Sequence, residues 1–251
     1  MSFRFKQFFV EDSRCAMKVG TDGVLLGAWA GKTIETLSRQ SREDVGSVLD
    51  VGTGSGLIAL MLAQRFPMAH IDAIDIDEAA VEQARENFEH SAFSSQLSAF
   101  CSSLQDWPNH QSPITNHQYD IVVSNPPYFQ NSLKNPDKAR ELARHTDSLS
   151  YEELITHCVR LLREDGQLAL ILPAETEQQV RTLAAANGLR LTHLTRVYSK
   201  AGKSAKRVLM AFEKSKNTGS GLEICEDTLV LENETGGRSA AYSELCQEFY
   251  L

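Results

Sequence analysis

Leu49-Asp-Val-Gly-Thr-Gly-Ser-Gly56 is the stretch whose reading decides the fold. Just before it, Ser47-Val-Leu-Asp-Val51 is a short apolar run suited to a buried strand. Just after it, Leu57 to Phe66 reads as a helix stopped by Pro67, which cannot continue one. Glycines at 52, 54 and 56 let the chain turn sharply and let its backbone approach a ligand. The helix that follows starts with free N–H groups at the same place. Strand, glycine turn and helix in this order form the first unit of a parallel α/β sheet with a nucleotide-type cofactor at its rim.

Working outward, the units recur. His70 to Asp75 is a second strand, and Glu78 to Phe88 a helix with Ala80, Ala84 and Phe88 on one face. Leu97 to Cys101 and Tyr119 to Ser124 are the third and fourth strands, the latter dense in β-branched residues. Tyr151 to Leu162 is a helix capped by Ser150, with Glu153 at the capping-box position. Asp165-Gly166 turns the chain into a fifth strand, Gln167 to Leu172. Glu177 to Ala186 is a helix ended by Asn187-Gly188. Leu189 to Tyr198 and Arg207 to Phe212 close a mostly parallel seven-stranded sheet as an antiparallel hairpin. Residues 1–45 form a short N-terminal cap in which Thr21 caps a helix carrying Val24, Leu25, Ala28 and Trp29; 36–46 is a polar linker. Residues 46–216 make the core, with loops at 111–118 and 130–148. Residues 217–251 form an extension packed on it, with β segments near Leu222 and Leu229 and a helix near Ser239 to Glu248.

Composition narrows the class. The chain has 251 residues, 42% hydrophobic and 23% charged, which excludes collagen, low-complexity disorder and a coiled coil. No apolar run reaches the length of a membrane span, and the N-terminus lacks the apolar region of a signal peptide. Five scattered cysteines form no C-x-x-C pair, and no nearby His completes a zinc spacing, so we expect reduced thiols in a cytoplasmic protein and no metal.

The glycine turn leaves two cofactors open. Gly54-Ser-Gly56-Leu-Ile-Ala59 satisfies the dinucleotide pattern G-x-G-x-x-A. The G-x-G-x-G spacing from Gly52, with Asp50 before it, instead resembles motif I of the S-adenosylmethionine-dependent methyltransferases. An acid at the end of the second strand serves either cofactor by accepting ribose hydroxyls; Asp75 fits that role, and Asp77 caps the next helix.

A second motif decides between them. Asn125-Pro126-Pro127-Tyr128 stands at the end of the fourth strand, on the rim shared by the glycine turn and Asp75. A planar amino or amide nitrogen is a poor nucleophile because its lone pair is delocalised. Two acceptors, the Asn125 amide oxygen and a proline-loop carbonyl, hold its two hydrogens and free the lone pair for in-line attack on a sulfonium methyl. Tyr128 stacks on the planar substrate. Positioning and electrostatics carry such a step. A nicotinamide enzyme has no use for the motif.

These residues resemble the amino-N-methyltransferases with an (N/D)-P-P-Y motif, which include adenine-N6 enzymes and glutamine-N5 enzymes acting on release factors. Cys15-Ala-Met-Lys-Val-Gly-Thr-Asp-Gly-Val-Leu-Leu-Gly-Ala-Trp-Ala30, with Phe3 to Phe9 before it and Ala143 to Leu154 beyond the catalytic loop, is similar to the bacterial tRNA1(Val) (adenine-N6)-methyltransferases. The resemblance implies a Rossmann-like methyltransferase fold that binds S-adenosyl-L-methionine and releases S-adenosyl-L-homocysteine. It also implies methylation of adenine 37 in the tRNA anticodon stem-loop; the alternative is a release-factor glutamine. It places Asp50, Gly52, Thr53, Gly54, Gly56, Asp75, Ile76, Ser103 and Leu104 on the cofactor, and Lys18, Thr21 and Asp22 at its methionine end. One position departs from the family pattern: Ser103 stands where many members have an Asp facing the cofactor's adenine, and Asp106 follows three residues later.

The charge is −8, which argues against a phosphate-rich partner until it is divided along the chain. Residues 196–216 carry seven cations against one acid, and 217–251 seven acids against one Arg. Lys200, Lys203, Lys206 and Arg207 are therefore expected to contact tRNA. Lys134, Lys138, Arg140 and Arg144 past the catalytic loop could add to them, as could Arg4, Lys6 and Phe8, which suit unstacked bases. His145 is read as a loop residue. The length leaves no room for a separate RNA-binding domain, and a monomer is expected.

Overall fold

The computed structural model describes residues 2–37, 44–109, 112, 118–127, 149–214 and 224–251. Ten strands are defined among them. β1 (Ser2–Arg4) and β2 (Phe9–Glu11) pair as an antiparallel hairpin. The other eight are β3 (Ser47–Val51), β4 (His70–Asp75), β5 (Leu97–Cys101), β6 (Tyr119–Ser124), β7 (Leu162–Pro173), β8 (Leu189–Tyr198), β9 (Arg207–Lys214) and β10 (Cys225–Val230). They form one sheet in the order β10-β8-β9-β7-β6-β3-β4-β5. Only β9 runs against its neighbours. The sequence leads to seven strands; the eighth, β10, pairs with β8 across the expected core–extension boundary. A parallel edge strand of this kind leaves no short-range hairpin signal.

Alternate residues along the strands point to two cores. Val48, Ile71, Ala73, Ile121 and Val123 pack on one side with α1 (Thr21–Leu37), α2 (Leu57–Arg65) and α3 (Glu78–Glu89). Leu49, Val51, Ile74 and Val122 pack on the other with α4 (Tyr151–Leu161) and α5 (Glu177–Ala186). With both faces covered, continuous apolar strands are what burial requires. The last helix, α6 (Ala240–Leu245), adds Tyr242 to the first core. No helix among the described residues is long and apolar enough to cross a membrane.

Two local expectations are corrected. Thr21 does not cap α1: it is the helix's first residue, and the Gly20 carbonyl accepts the Val24 amide. β7 starts at Leu162, not Gln167. Leu162 pairs with Tyr119, the register then shifts, and Gln167 pairs with Ile121. Asp165 takes a left-handed φ of 63° inside this irregularity. Gly166 follows because a Cβ there would lie 2.9 Å from the Arg163 carbonyl oxygen and 3.0 Å from that of Tyr119.

The hairpin β1–β2 is fastened beside the glycine turn. Asn87 on α3, itself buried, donates to the Glu11 and Ser55 carbonyls and accepts from the Glu11 amide. The far end of the chain meets the same region. Phe249 and Gln247 offer carbonyls to the Lys6 amide and ammonium, and Glu248 pairs with buried Arg65 at 2.8 Å.

Candidate active site

Above the C-terminal ends of β3, β4, β5 and β6 opens a cavity of about 1020 Å³. The glycine turn supplies its floor. The Gly52 and Thr53 amides donate to the Ile74 carbonyl at 2.9 and 3.0 Å, clipping the turn to β4. The Gly54 amide donates to Asp75 Oδ2 at 2.8 Å, and the Asp77 amide to Asp75 Oδ1 at 3.1 Å. Two backbone donors thus hold the Asp75 carboxylate at the cavity wall. Asp77 caps α3 through the Ala79 amide, as expected.

The three glycines do different work. Gly52 and Gly54 line the cavity in left-handed conformation, and a Cβ on either would meet nothing within 4 Å. They keep open a space that a side chain would fill. Gly56 does not line it. A Cβ there would lie 2.4 Å from Phe88 Cε1, so its role is the close approach of α2 to α3.

Asp50 also stands behind the turn, not in the cavity wall, which corrects its expected cofactor contact. It is fully buried, and its Oδ2 accepts from the Thr53 hydroxyl at 2.7 Å. Burial pushes its pKa up to about 7, against the pull of the Thr53 hydroxyl and the Ala59 amide, while the charge of Asp75 adds to the rise. Asp50 therefore braces the turn from below, and Thr53 lines the cavity with its hydroxyl engaged.

Asn125, Pro126 and Pro127 emerge from β6 into the same cavity. Ser124 fixes their starting point by donating to the Val51 carbonyl at 2.8 Å. The Asn125 Nδ2 faces Met17 Sδ at 3.9 Å, so the amide nitrogen is turned toward the N-terminal segment. Tyr128 lies outside the described residues, as do Lys134, Lys138, Arg140, Arg144, His145 and Leu222.

The opposite wall is the segment from Cys15 to Gly23. Lys18 lines it, but its ammonium donates to the Asp12, Ser13 and Cys15 carbonyls and so shapes its own loop. Thr21 and Asp22 face the cavity. Asp22 pairs with Arg207 at 2.9 Å, and a second cavity of about 310 Å³ beside them is lined by Lys206, Arg207 and Ser199. Ile76, Ser103 and Leu104 also line the cavity. Ser103 Oγ donates to Asp106 Oδ2 at 2.8 Å, and Asp106 lines the cavity beside it. Met17 and Glu153 also reach the wall. The sequence marks Glu153 only as a capping-box residue and Met17 only as part of the Cys15–Ala30 stretch, so neither is expected at the site.

The expected basic face is smaller than its composition. Arg196 pairs with Glu177 and Glu226, Lys200 with Glu232, and Arg207 with Asp22. Lys214 donates to the Val159 and Leu162 carbonyls. The acidic extension lies along the basic segment and neutralises part of it. Lys203 and Lys206 are exposed, and no acid pairs with either among the described residues. Lys6 is held by the Gln247 carbonyl, and Phe8 is buried against Phe5 with ring centroids 4.8 Å apart. Phe8 is thus not a surface for bases. Arg4 stands exposed on β1.

Comparison with known proteins identifies the family. Residues 33–193 match the family model of the methyltransferase small domain. The chain is 44% identical to the tRNA1(Val) (adenine(37)-N6)-methyltransferase of Phocaeicola vulgatus and 42% identical to that of Bacteroides thetaiotaomicron. Each alignment covers 99% of this chain and 97% of the relative. In fold, it is similar to a "predicted O-methyltransferase" of Agrobacterium tumefaciens, with a TM-score of 0.63, 17% identity, and coverage of 91% of this chain and 96% of that one. The chain belongs to the methyltransferase small domain family and, within it, to the tRNA1(Val) (adenine(37)-N6)-methyltransferases.

Proposed function

We propose that the chain methylates N6 of adenine 37 in tRNA1(Val), using S-adenosyl-L-methionine, in the cytoplasm. The observation that carries this reading is the meeting of Asn125-Pro126-Pro127 with Gly52, Gly54 and Asp75 around one cavity. That cavity fits the cofactor by its donor set: two glycine faces without side chains, and a carboxylate held by backbone amides beside them. Asp75 accepts the ribose hydroxyls, Ile76 and Leu104 give apolar contact to the adenine, and the Ser103–Asp106 pair faces its polar edge. When bound, the cofactor supplies a sulfonium methyl that is already electrophilic.

The protein's task is then to present the amine. Asn125 Oδ1 and the Pro126 carbonyl accept its two hydrogens, which draws the nitrogen toward tetrahedral geometry. Stiff proline backbone keeps those acceptors in place without reorganisation. Tyr128 stacks on the base. An adenine in a single-stranded loop leaves its stack at lower cost than one in a duplex. Lys203 and Lys206 supply phosphate contacts near the small cavity.

The test is incubation with labelled S-adenosylmethionine and, separately, unmodified tRNA or release factor, followed by digestion. Label on N6 of adenine 37 is expected; label on glutamine, or none, overturns the reading. Asn125→Ala should lower kcat by roughly 10²–10³ with cofactor affinity retained.

A further inference from the structure

Away from the cavity, the parallel pairing of β8 with β10 sets His193 beside Cys225, and Thr195 beside Asp227. Residues two apart on a strand share a face, and register partners share it too. The pairing therefore gathers four polar side chains at one edge of the sheet. His193 Nε2 lies 3.0 Å from Asp227 Oδ2. The imidazole nitrogen, the Cys225 thiol and the Asp227 carboxylate each offer an atom within 4.8 Å of the others.

We propose that His193, Cys225 and Asp227 form a zinc site that clasps the edge strand β10 to β8, with water as fourth ligand. A thiolate, an imidazole and a carboxylate make a borderline-soft set that suits zinc better than calcium or magnesium. Tetrahedral zinc with bonds of roughly 2.0–2.3 Å holds its donors about 3.3–3.8 Å apart. Small side-chain rotations close the observed spacing to that value, and Cys225 and Asp227 are exposed. On binding, the Cys225 thiol proton is released to solvent. The imidazole binds through its Nε2 lone pair, with its remaining proton on Nδ1.

The inner wall is already built. Trp29 Nε1 donates to Thr195 Oγ1 at 2.8 Å, and Thr195 Oγ1 lies 3.4 Å from His193 Nε2. The Trp29 ring stands 5.1 Å from the His193 ring. His193 Nδ1 is buried without a hydrogen-bond partner among the described residues. The site thus lacks the outer acceptor that tight zinc sites use, which weakens it by roughly 10–100-fold relative to a site that has one. Sequence spacing cannot reveal such a set, since His193 lies 34 residues before Asp227 and meets it only through the sheet.

The experiment uses the full chain, stripped of metal with a chelator and titrated with cobalt(II) in place of zinc. One equivalent should bind, with a thiolate-to-cobalt charge-transfer band in the near ultraviolet and quenching of tryptophan emission. Cys225→Ser should abolish the band and weaken binding at least tenfold. Cys101→Ser, at the other exposed cysteine, should leave both unchanged. Zinc should raise the melting temperature of the parent but not of Cys225→Ser. Failure to bind one equivalent, or binding unaltered in Cys225→Ser, overturns the proposal. A normal far-ultraviolet spectrum for that variant shows that its loss of binding is not unfolding.

Discussion

Substituting Gly56 and Gly54 separately by alanine tests whether one motif divides between folding and binding. Both glycines have left-handed φ, 80° and 54°. Alanine in that region costs about 1–2 kcal/mol at either place. The surroundings then separate them. At Gly56 the new methyl would sit 2.4 Å from Phe88 Cε1 and 3.3 Å from the Ala84 Cβ. Phe88 is only 3% exposed, so its ring has nowhere to retreat, and overpacking adds about 1–3 kcal/mol. The total is about 2–5 kcal/mol, and at about 2–4 °C per kcal/mol the melting temperature falls by about 4–20 °C. At Gly54 the methyl meets no protein atom and enters the cavity instead. Its stability loss is confined to the backbone cost. Affinity for S-adenosylhomocysteine should drop roughly tenfold or more, the equivalent of about 1.4 kcal/mol of overpacking against the ligand. Thermal denaturation and calorimetric titration at a temperature where both variants are folded give the two numbers. Phe88→Leu in the Gly56→Ala background should return the steric part as a coupling energy of about 1–3 kcal/mol. A Gly56→Ala variant within about 1 kcal/mol of the parent, or zero coupling to Phe88, would refute the assignment.

Asp50 carries a pH dependence. Its folded pKa of about 7 stands above its unfolded value of about 3.9, so the folded state holds the extra proton between those values. The stability it contributes is fully present below pH 4 and is lost as pH rises through 7. Asp50→Asn keeps an acceptor for Thr53 and removes the ionisation, so denaturant unfolding should show the variant gaining on the parent as pH rises from about 4 through 7. A parallel pair of profiles would clear Asp50 of the effect. Ser103→Ala frees Asp106 from its hydroxyl partner. We expect cofactor affinity about fivefold weaker, near the worth of one hydrogen bond. Unchanged competitive binding in both Ser103→Ala and Ser103→Asp would place that wall away from the cofactor. Reversing Lys203 and Lys206 to Glu should weaken tRNA binding and flatten its salt dependence. An unaltered salt slope would remove this surface from the tRNA interface.

How much of this was legible in the chain depends on the range of each interaction. Asp77 caps α3, and Ser150 with Glu153 boxes α4, because each contact closes within a few residues of sequence. The rim of glycine turn, Asp75 and Asn125 was legible too. Parallel strands bring their carboxyl ends to one side, so three motifs at strand ends must converge. What stayed hidden is long-range pairing. Nothing near Gly56 announces Phe88, and nothing near Arg207 announces Asp22.

The charge balance shows the cost of reading composition alone. A segment with seven cations against one acid looks like a face for phosphates. Yet β10 lies along β8, and the tail places Glu226 on Arg196 and Glu232 on Lys200. These pairs are partly solvated and contribute little stability each. Their effect is on the field instead: they cancel charge close to the sheet and leave Lys203 and Lys206 as the exposed, unpaired cations of the described strand-connecting loop. Lys206 lines the small cavity that shares Thr21 and Asp22 with the large one. A phosphate held there would sit beside the Cys15–Gly23 wall of the large cavity, not at a remote surface. The acidic tail thus narrows where an anionic partner can dock, and whole-chain charge, averaged over both segments, says nothing about that place.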